Sequence, residues 1–239
     1  MFELSTFVVR VVIDDHSKRQ GVVCEDTVFH PQGGGQPSDQ GSVLLQEHKL
    51  CIEKVEKDKT SGDIIHWIQD LGSLNIESGM EALLCVDSQV RRLHSRLHSA
   101  GHAIDVAIER LGLAFEPSKA YHFPDGPFVE YVGEVAPGDK DSLIKRMQDL
   151  LDDLVMKEVP VRVLNLARDD AFEICRDPSL FEYGEHERIR VIQIGAWKGC
   201  RCGGTHVSNT KELGRVRIEK LQKKGKSIKF KYSLSNSTT

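Results

Sequence analysis

No stretch of this sequence approaches the ~20 consecutive apolar residues that a membrane-spanning helix requires, which argues against a helical membrane protein. The opening residues, Met1 to Val12, hold no basic segment followed by an unbroken apolar run, so they make a poor secretory leader. Excess positive charge is missing as well: 32 Lys and Arg stand against 36 Asp and Glu, a formal net charge of -4. Nucleic-acid binding through overall charge is thereby excluded, and any such contact must come from a local basic patch. The six cysteines (Cys24, Cys51, Cys85, Cys175, Cys200 and Cys202) lack the spacing of a disulfide framework. A reducing cytosol is the expected compartment, where thiols remain free to bind metal. Low-complexity, collagen-like and disordered compositions are absent too, and no internal repeat is visible.

What is present is the makeup of a globular protein. The 239 residues are 39% hydrophobic and 28% charged, enough for one large domain or two modest ones. The first part reads as strands and turns. Phe7, Val9, Val11 and Ile13 alternate with other residues, and Gly21–Val23, Ser42–Leu45 and Ile64–Ile68 are short β candidates. Between them lies Phe29-His30-Pro31-Gln32-Gly33-Gly34-Gly35-Gln36-Pro37, a loop that no regular element tolerates.

The texture changes after Val86. Val90, Leu93, Leu97, Ala100, Ile104, Ala107 or Ile108, and Leu111 predict an amphipathic helix from Ser88 to Gly112, with Gly112 at its C-terminal end. Leu143, Met147, Leu150, Leu151 and Leu154 predict a second, from Asp139 to Lys157, opened by Gly138. Strands are expected at Val159–Leu164, Arg188–Ile194, Val216–Lys220 and Ser227–Tyr232, with Lys224-Gly225-Lys226 as a hairpin turn. The expected fold class is α+β. A small β-barrel-like domain occupies residues 1–86, and an α/β domain with a long helix and a mixed or antiparallel sheet occupies residues 87–239.

Two segments carry the chemistry. Arg96-Leu97-His98-Ser99-Ala100-Gly101-His102 lies inside the long helix, where residues four apart stand one turn above each other. Two imidazoles at that spacing can converge on one ion. About a hundred residues later comes Cys202-Gly203-Gly204-Thr205-His206, whose glycines let the backbone turn tightly and bring thiol and imidazole to one side. Three histidines and a cysteine suit zinc far better than calcium or magnesium. Taken singly each signal is weak, since a His pair at helical spacing is often just a polar edge. His94 continues the same ladder, and Cys200 competes with Cys202, so spacing alone leaves the ligand register open.

At these residues the sequence resembles the AlaX proteins, freestanding relatives of the alanyl-tRNA synthetase editing domain. Val86-Asp87, Arg91-Arg92 and Arg96 to His102 follow the family's zinc motif, and Cys202-Gly203-Gly204-Thr205-His206-Val207 repeats its second half unbroken. Thr210-Lys211-Glu212-Leu213-Gly214 follows where the family usually has Thr-x-Glu-Ile-Gly. Thr27 to Pro37, ahead of Asp39-Gln40-Gly41, looks like its glycine-rich motif, although His30 stands where Tyr is usual. Ala103-Ile104 departs from the usual apolar pair, whereas Tyr121 to Pro127 and Lys223 to Lys226 also match. The likeness runs from about Thr27 to Tyr232 and places the chain with the medium-length class.

The resemblance implies a hydrolase that removes serine or glycine from alanine-specific tRNA, an ATP-independent fidelity step. Excluding glycine from an alanine pocket by binding alone is difficult, because one methyl group is worth only ~1–3 kcal/mol. It also implies the ligand set His98, His102, Cys202 and His206 around Zn2+, with His94 and Cys200 outside it. His98, His102 and Thr27 are the catalytic candidates. Gly33, Gly34, Gly35, Gln36, Arg96, Lys223 and Lys224 are the substrate-binding candidates. Thr27 and the loop glycines could hydrogen-bond a serine hydroxyl or a developing oxyanion; the alternative is a barrel turn whose glycines satisfy positive φ. Ser99 reads as a donor behind the ligands, His122 as a possible site residue, and Arg91, Arg92 and Arg96 as phosphate contacts or a solvated face.

Arg215, Arg217, Lys220, Lys223, Lys224, Lys226, Lys229 and Lys231 form the one basic concentration. It either follows an RNA backbone or guards a sheet edge. The expected partner is mischarged tRNA, with no membrane contact and a monomeric state. The competing readings are a noncatalytic tRNA-binding module with a structural zinc, and a metal hydrolase of small esters.

Overall fold

The computed structural model describes residues 2–14, 16–70, 74–136, 138–184 and 187–235. The chain divides into two compact units, Met1–Leu93 and His94–Thr239, and the division falls inside the first helix.

The first unit is a closed antiparallel barrel in the order β1-β2-β5-β4-β3-β6. Its strands are β1 (Glu3–Ile13), β2 (Gln20–Cys24), β3 (Gly41–Leu45), β4 (His48–Lys57), β5 (Ile64–Ile68) and β6 (Glu81–Val86). Closure leaves no free edge to template aggregation. Val8, Val22, Val43, Leu45, Ile52, Val55 and Leu84 fill the interior. The alternating apolar set of β1 turns the other way: Phe7, Val9 and Ile13 face outward at 43–56% exposure, while Thr6 and Val8 are buried. A register shift between Val8 and Arg10 accompanies this.

Helix α1 (Ser88–Arg110) starts where predicted, because Asp87 caps it: its Oδ1 accepts from the amides of Gln89 and Val90 at 2.8 and 3.0 Å. It ends in a Schellman turn. Gly112, at φ 65°, donates to Glu109 O, and Leu113 donates to Ile108 O.

The second unit continues through β7 (Glu116–Tyr121), β8 (Phe128–Val132), α2 (Lys140–Met156), β9 (Val161–Leu166), α3 (Arg168–Cys175), β10 (Ile189–Ile194), β11 (Cys200–Arg201), β12 (Arg215–Lys224) and β13 (Ser227–Ser235). Two antiparallel sheets form, β11-β10-β9 and β12-β13-β8-β7. Ala100, Ile104 and Ala107 of α1 pack with Met147, Leu151 and Leu154 of α2 and with Ile228 and Phe230 of β13 in one core. The fold is α+β, as predicted, with both sheets antiparallel. Among the described residues no helix is long and apolar enough to cross a membrane.

Candidate metal centre

In the second unit, one ligand atom from each of His98, His102, Cys202 and His206 lies within 4.8 Å of the others. Cys202 Sγ is 3.3 Å from His98 Nε2 and 3.5 Å from His206 Nε2. Tetrahedral zinc, with bonds of about 2.0–2.3 Å to nitrogen and sulfur, places neighbouring ligand atoms about 3.5 Å apart. The donor set and its spacing therefore fit a zinc ion. Neither His94 nor Cys200 belongs to this group of four. Cys200 Sγ instead lies 3.4 Å from His102 Nδ1, and Asp105 Oδ2 lies at the same distance from that nitrogen. With Nδ1 engaged there, the buried Nε2 is the nitrogen left for an ion.

The surrounding polar groups hold the loop against the helix. Ser99 Oγ accepts from Val207 N at 3.1 Å, and Ser95 Oγ donates to Thr205 Oγ1 at 2.7 Å. Ser99 is thus a support of the Cys-Gly-Gly-Thr-His loop. Arg190 fixes the same loop from β10: its side chain donates to Cys202 O, and its carbonyl accepts from Cys202 N at 3.2 Å. Burial alone would raise the Cys202 thiol, but hydrogen bonding to His102, the charge on His102 and the Gly204 amide bring it below its ordinary value. A thiol lowered in this way is prepared to act as thiolate.

His122, from the turn after β7, stacks on His98 with ring centroids 4.5 Å apart. Its Nδ1 meets Tyr232 Oη at 2.7 Å, and Tyr232 Oη donates to Leu97 O at 2.9 Å. Burial drops its pKa to about 4, so the ring is neutral. Gly101 makes this approach possible, since a Cβ there would stand 2.5 Å from His122 Cε1. Gly101→Ala is therefore expected to lower stability by about 1–3 kcal/mol through overpacking. Denaturant unfolding checks this, and an unchanged midpoint would show that His122 shifts freely.

The arginines serve as braces. Arg96 Nη2 donates to Leu213 O at 2.9 Å, reaching the short 3-10 helix Thr210–Leu213. On the basic hairpin, Lys223 Nζ donates to Val135 O at 3.0 Å, and Lys229 pairs with Glu130 at 3.1 Å. Arg215, Arg217, Lys220, Lys224, Lys226 and Lys231 are exposed.

In the first unit, the glycine-rich loop is a tight reversal. Gly33 and Gln36 exchange backbone hydrogen bonds at 3.1 and 2.9 Å around Gly34 and Gly35, whose φ values are 57° and 78°. Two successive positive φ values explain why both positions are glycine. Gln36 is completely buried. The loop is anchored by Asp39, also completely buried, which accepts from His30 N at 2.5 Å and from Arg91 Nε at 2.7 Å. Arg91 Nη2 bonds the same carboxylate and donates to Val28 O at 2.6 Å. Sequence reasoning left Arg91 between a phosphate contact and a solvated face; it is an internal clamp. Thr27 Oγ1 lies 2.7 Å from His66 Nε2, a partner that sequence reasoning missed. The available signal was one histidine in the apolar run Ile64–Ile68.

Comparison with known proteins defines the class first. Residues 189–230 match the family described as "Threonyl and Alanyl tRNA synthetase second additional domain", a span that includes Cys202 and His206. The alanyl-tRNA editing protein AlaX-M of Methanosarcina barkeri is 32% identical over 88% of this chain and 87% of its own length. That of Methanosarcina acetivorans is 30% identical over 94% and 91%. The alanine–tRNA ligase of Carboxydothermus hydrogenoformans is 28% identical over 82% of this chain but only 22% of its own length. The chain belongs to the AlaX family of alanyl-tRNA editing proteins.

Proposed function

We propose that this protein deacylates alanine tRNA wrongly charged with serine or glycine, acting in trans in the cytoplasm as a monomer. The carrying observation is the four-ligand cluster of His98, His102, Cys202 and His206, set in a chain that aligns along most of its length with editing proteins. An aminoacyl ester is already activated, so the protein needs only to position it, exclude the wrong geometry and admit water. When bound, zinc supplies Lewis acidity toward water or holds the aminoacyl end. The chain's own contribution is to orient the ligands, through Asp105 on His102, His122 on His98, and Ser95, Ser99 and Arg190 on the loop. In this proposal the domain carrying Thr27, Gly33, Gly34, Gly35 and Gln36, residues 1–86, selects the amino acid, and residues 87–239 carry the chemistry. Arg96, by contrast, is more a brace than a substrate contact, given its bond to Leu213 O.

A second reading has one observation in its favour: four protein ligands fill a tetrahedron, the pattern of a structural zinc. A turnover assay on seryl-, glycyl- and alanyl-tRNA separates the two. Multiple turnovers on the first two substrates, lost on chelation and restored by zinc, are expected; binding of charged tRNA without turnover would leave a noncatalytic module.

The exposed basic hairpin is proposed to meet tRNA phosphates. Neutralising Lys223, Lys224 and Lys226 together should weaken tRNA binding and reduce the slope of log affinity against log salt by roughly one unit for each phosphate no longer neutralised. Filter binding across a salt series measures this. A slope equal to that of the unmodified protein would assign the lysines to guarding the sheet edge.

A further inference from the structure

The hydrogen-bond chain through Thr27 has only one consistent proton arrangement. His66 lies at the centre of β5, completely buried, paired with Val22 of β2 on one side and Val55 of β4 on the other. Its Nδ1 is 3.0 Å from Val22 O, and a carbonyl oxygen has no proton to give, so Nδ1 carries the hydrogen and donates. Burial drops the ring's pKa to about 4 despite the opposing pull of that bond, so the imidazole is neutral and Nε2 holds a bare lone pair. Thr27 Oγ1, 2.7 Å away, must therefore donate its only proton to Nε2. The same oxygen accepts from Phe29 N at 3.0 Å. One lone pair and no proton are left on a residue that is only half-buried. The Phe29 ring stands edge-on to His66, centroids 5.4 Å apart at 83°, and closes the ring's remaining freedom.

We infer that His66 is a positioning residue that fixes the Thr27 hydroxyl as a hydrogen-bond acceptor for the side-chain O–H of a seryl ester. This rests on the editing reading given above and deepens it. It also divides the two roles offered for Thr27 by sequence. A developing oxyanion needs a donor, which Thr27 cannot be while its proton is held by His66; a serine hydroxyl needs an acceptor, which it is. Glycine offers no hydroxyl, so the contact bears on serine alone. A protonated ring would reverse the arrangement, but among the described residues nothing acidic is hydrogen-bonded to His66 to hold a charge there: its ring partners are Val22 O and Thr27 Oγ1.

The test uses the full zinc-loaded chain and the ratio of kcat/KM on seryl-tRNA to that on glycyl-tRNA. Thr27→Val removes the hydroxyl and keeps its shape, and His66→Phe removes the lone pair and keeps a ring. Either should lower the ratio about tenfold, the range for one polar interaction left unmade being about 5- to 150-fold. The double variant should be no worse than the worse single variant, because both delete the same interaction. Thr27→Ser, which retains the hydroxyl, should hold the ratio near its starting value. Should His66→Phe fail to fold, the Thr27→Val and Thr27→Ser pair together with His66→Gln carries the test. A ratio unmoved in Thr27→Val or His66→Phe, in protein that edits both substrates, overturns the inference and leaves the editing reading intact. Equal loss on both substrates also overturns it, and points to a Thr27–His66 nucleophile pair instead. Unmodified protein that turns over neither substrate removes the editing reading itself.

Discussion

Replacing His102 with alanine should empty the metal centre, whereas replacing His94 should leave about one zinc per chain. The two residues stand eight apart on α1, and a sequence-based ladder through His94, His98 and His102 treats them alike. The geometry does not. His102 joins His98, Cys202 and His206 within 4.8 Å, and His94 does not belong to that group. Removing one of four ligands from a site whose zinc binding amounts to about 10–16 kcal/mol in closed peptide sites should cost several orders of magnitude in affinity. Deacylation should disappear with it. Cys200→Ala is the graded case. Its sulfur touches His102 at Nδ1, behind the metal-facing nitrogen, so a loss of roughly 10- to 100-fold in affinity is expected, with zinc retained at stoichiometric loading. Zinc per chain after gel filtration, with and without a competing chelator, reads all three variants. Equal zinc loss in His94→Ala and His102→Ala would overturn the assignment.

The ligand ladder also marks where sequence reasoning reaches and where it stops. Helix α1 was legible almost to its ends because three signals agree there: the Asp87 cap, the three- and four-residue apolar steps, and Gly112 at the Schellman position. Strand β4 was missed for a physical reason. Leu50 and Ile52 point inward, but a register shift between Ile52 and Lys54 moves the next inward residue to Val55, so the period of two is broken mid-strand. Strand β7 (Glu116–Tyr121) lies at the edge of its sheet, with its first four residues exposed, and has no apolar alternation to find. On β1 the pattern was visible but its direction was not, since alternation alone does not say which face is inside. The ligands were legible only as motifs in combination. Thr27–His66 and Asp39–Arg91 are separated by 39 and 52 residues, and nothing in local spacing announces such pairs.

The Asp39–Arg91 clamp also carries the largest stability effect expected in the first unit. Asp39 is completely buried, and its carboxylate meets three donors: the His30 amide and both the Nε and Nη2 groups of Arg91. Asp39 N closes the circuit by donating to His30 O at 3.0 Å. Asp39→Ala would strand a guanidinium whose side chain is only 15% exposed, and would free the His30 amide from its acceptor. Removing one partner of such a pair costs about 3–5 kcal/mol, because the other charge is left uncompensated. Asp39→Asn should cost less, since the amide oxygen still accepts one of those bonds. Arg91→Met removes the opposite charge, and the double variant Asp39→Ala, Arg91→Met should recover part of the loss. A positive coupling of about 1–3 kcal/mol in that cycle is the signature of the clamp. Urea unfolding of the four proteins measures it. Zinc content in the folded fraction should stay near one per chain, because all four ligands belong to the second unit. Amino-acid selection should suffer ahead of metal binding, since the clamp holds both ends of the turn at Gly34 and Gly35. Strictly additive costs for Asp39 and Arg91 would mean that the two side chains do not act as a pair, and the glycine-rich loop would then owe its shape to the turn alone.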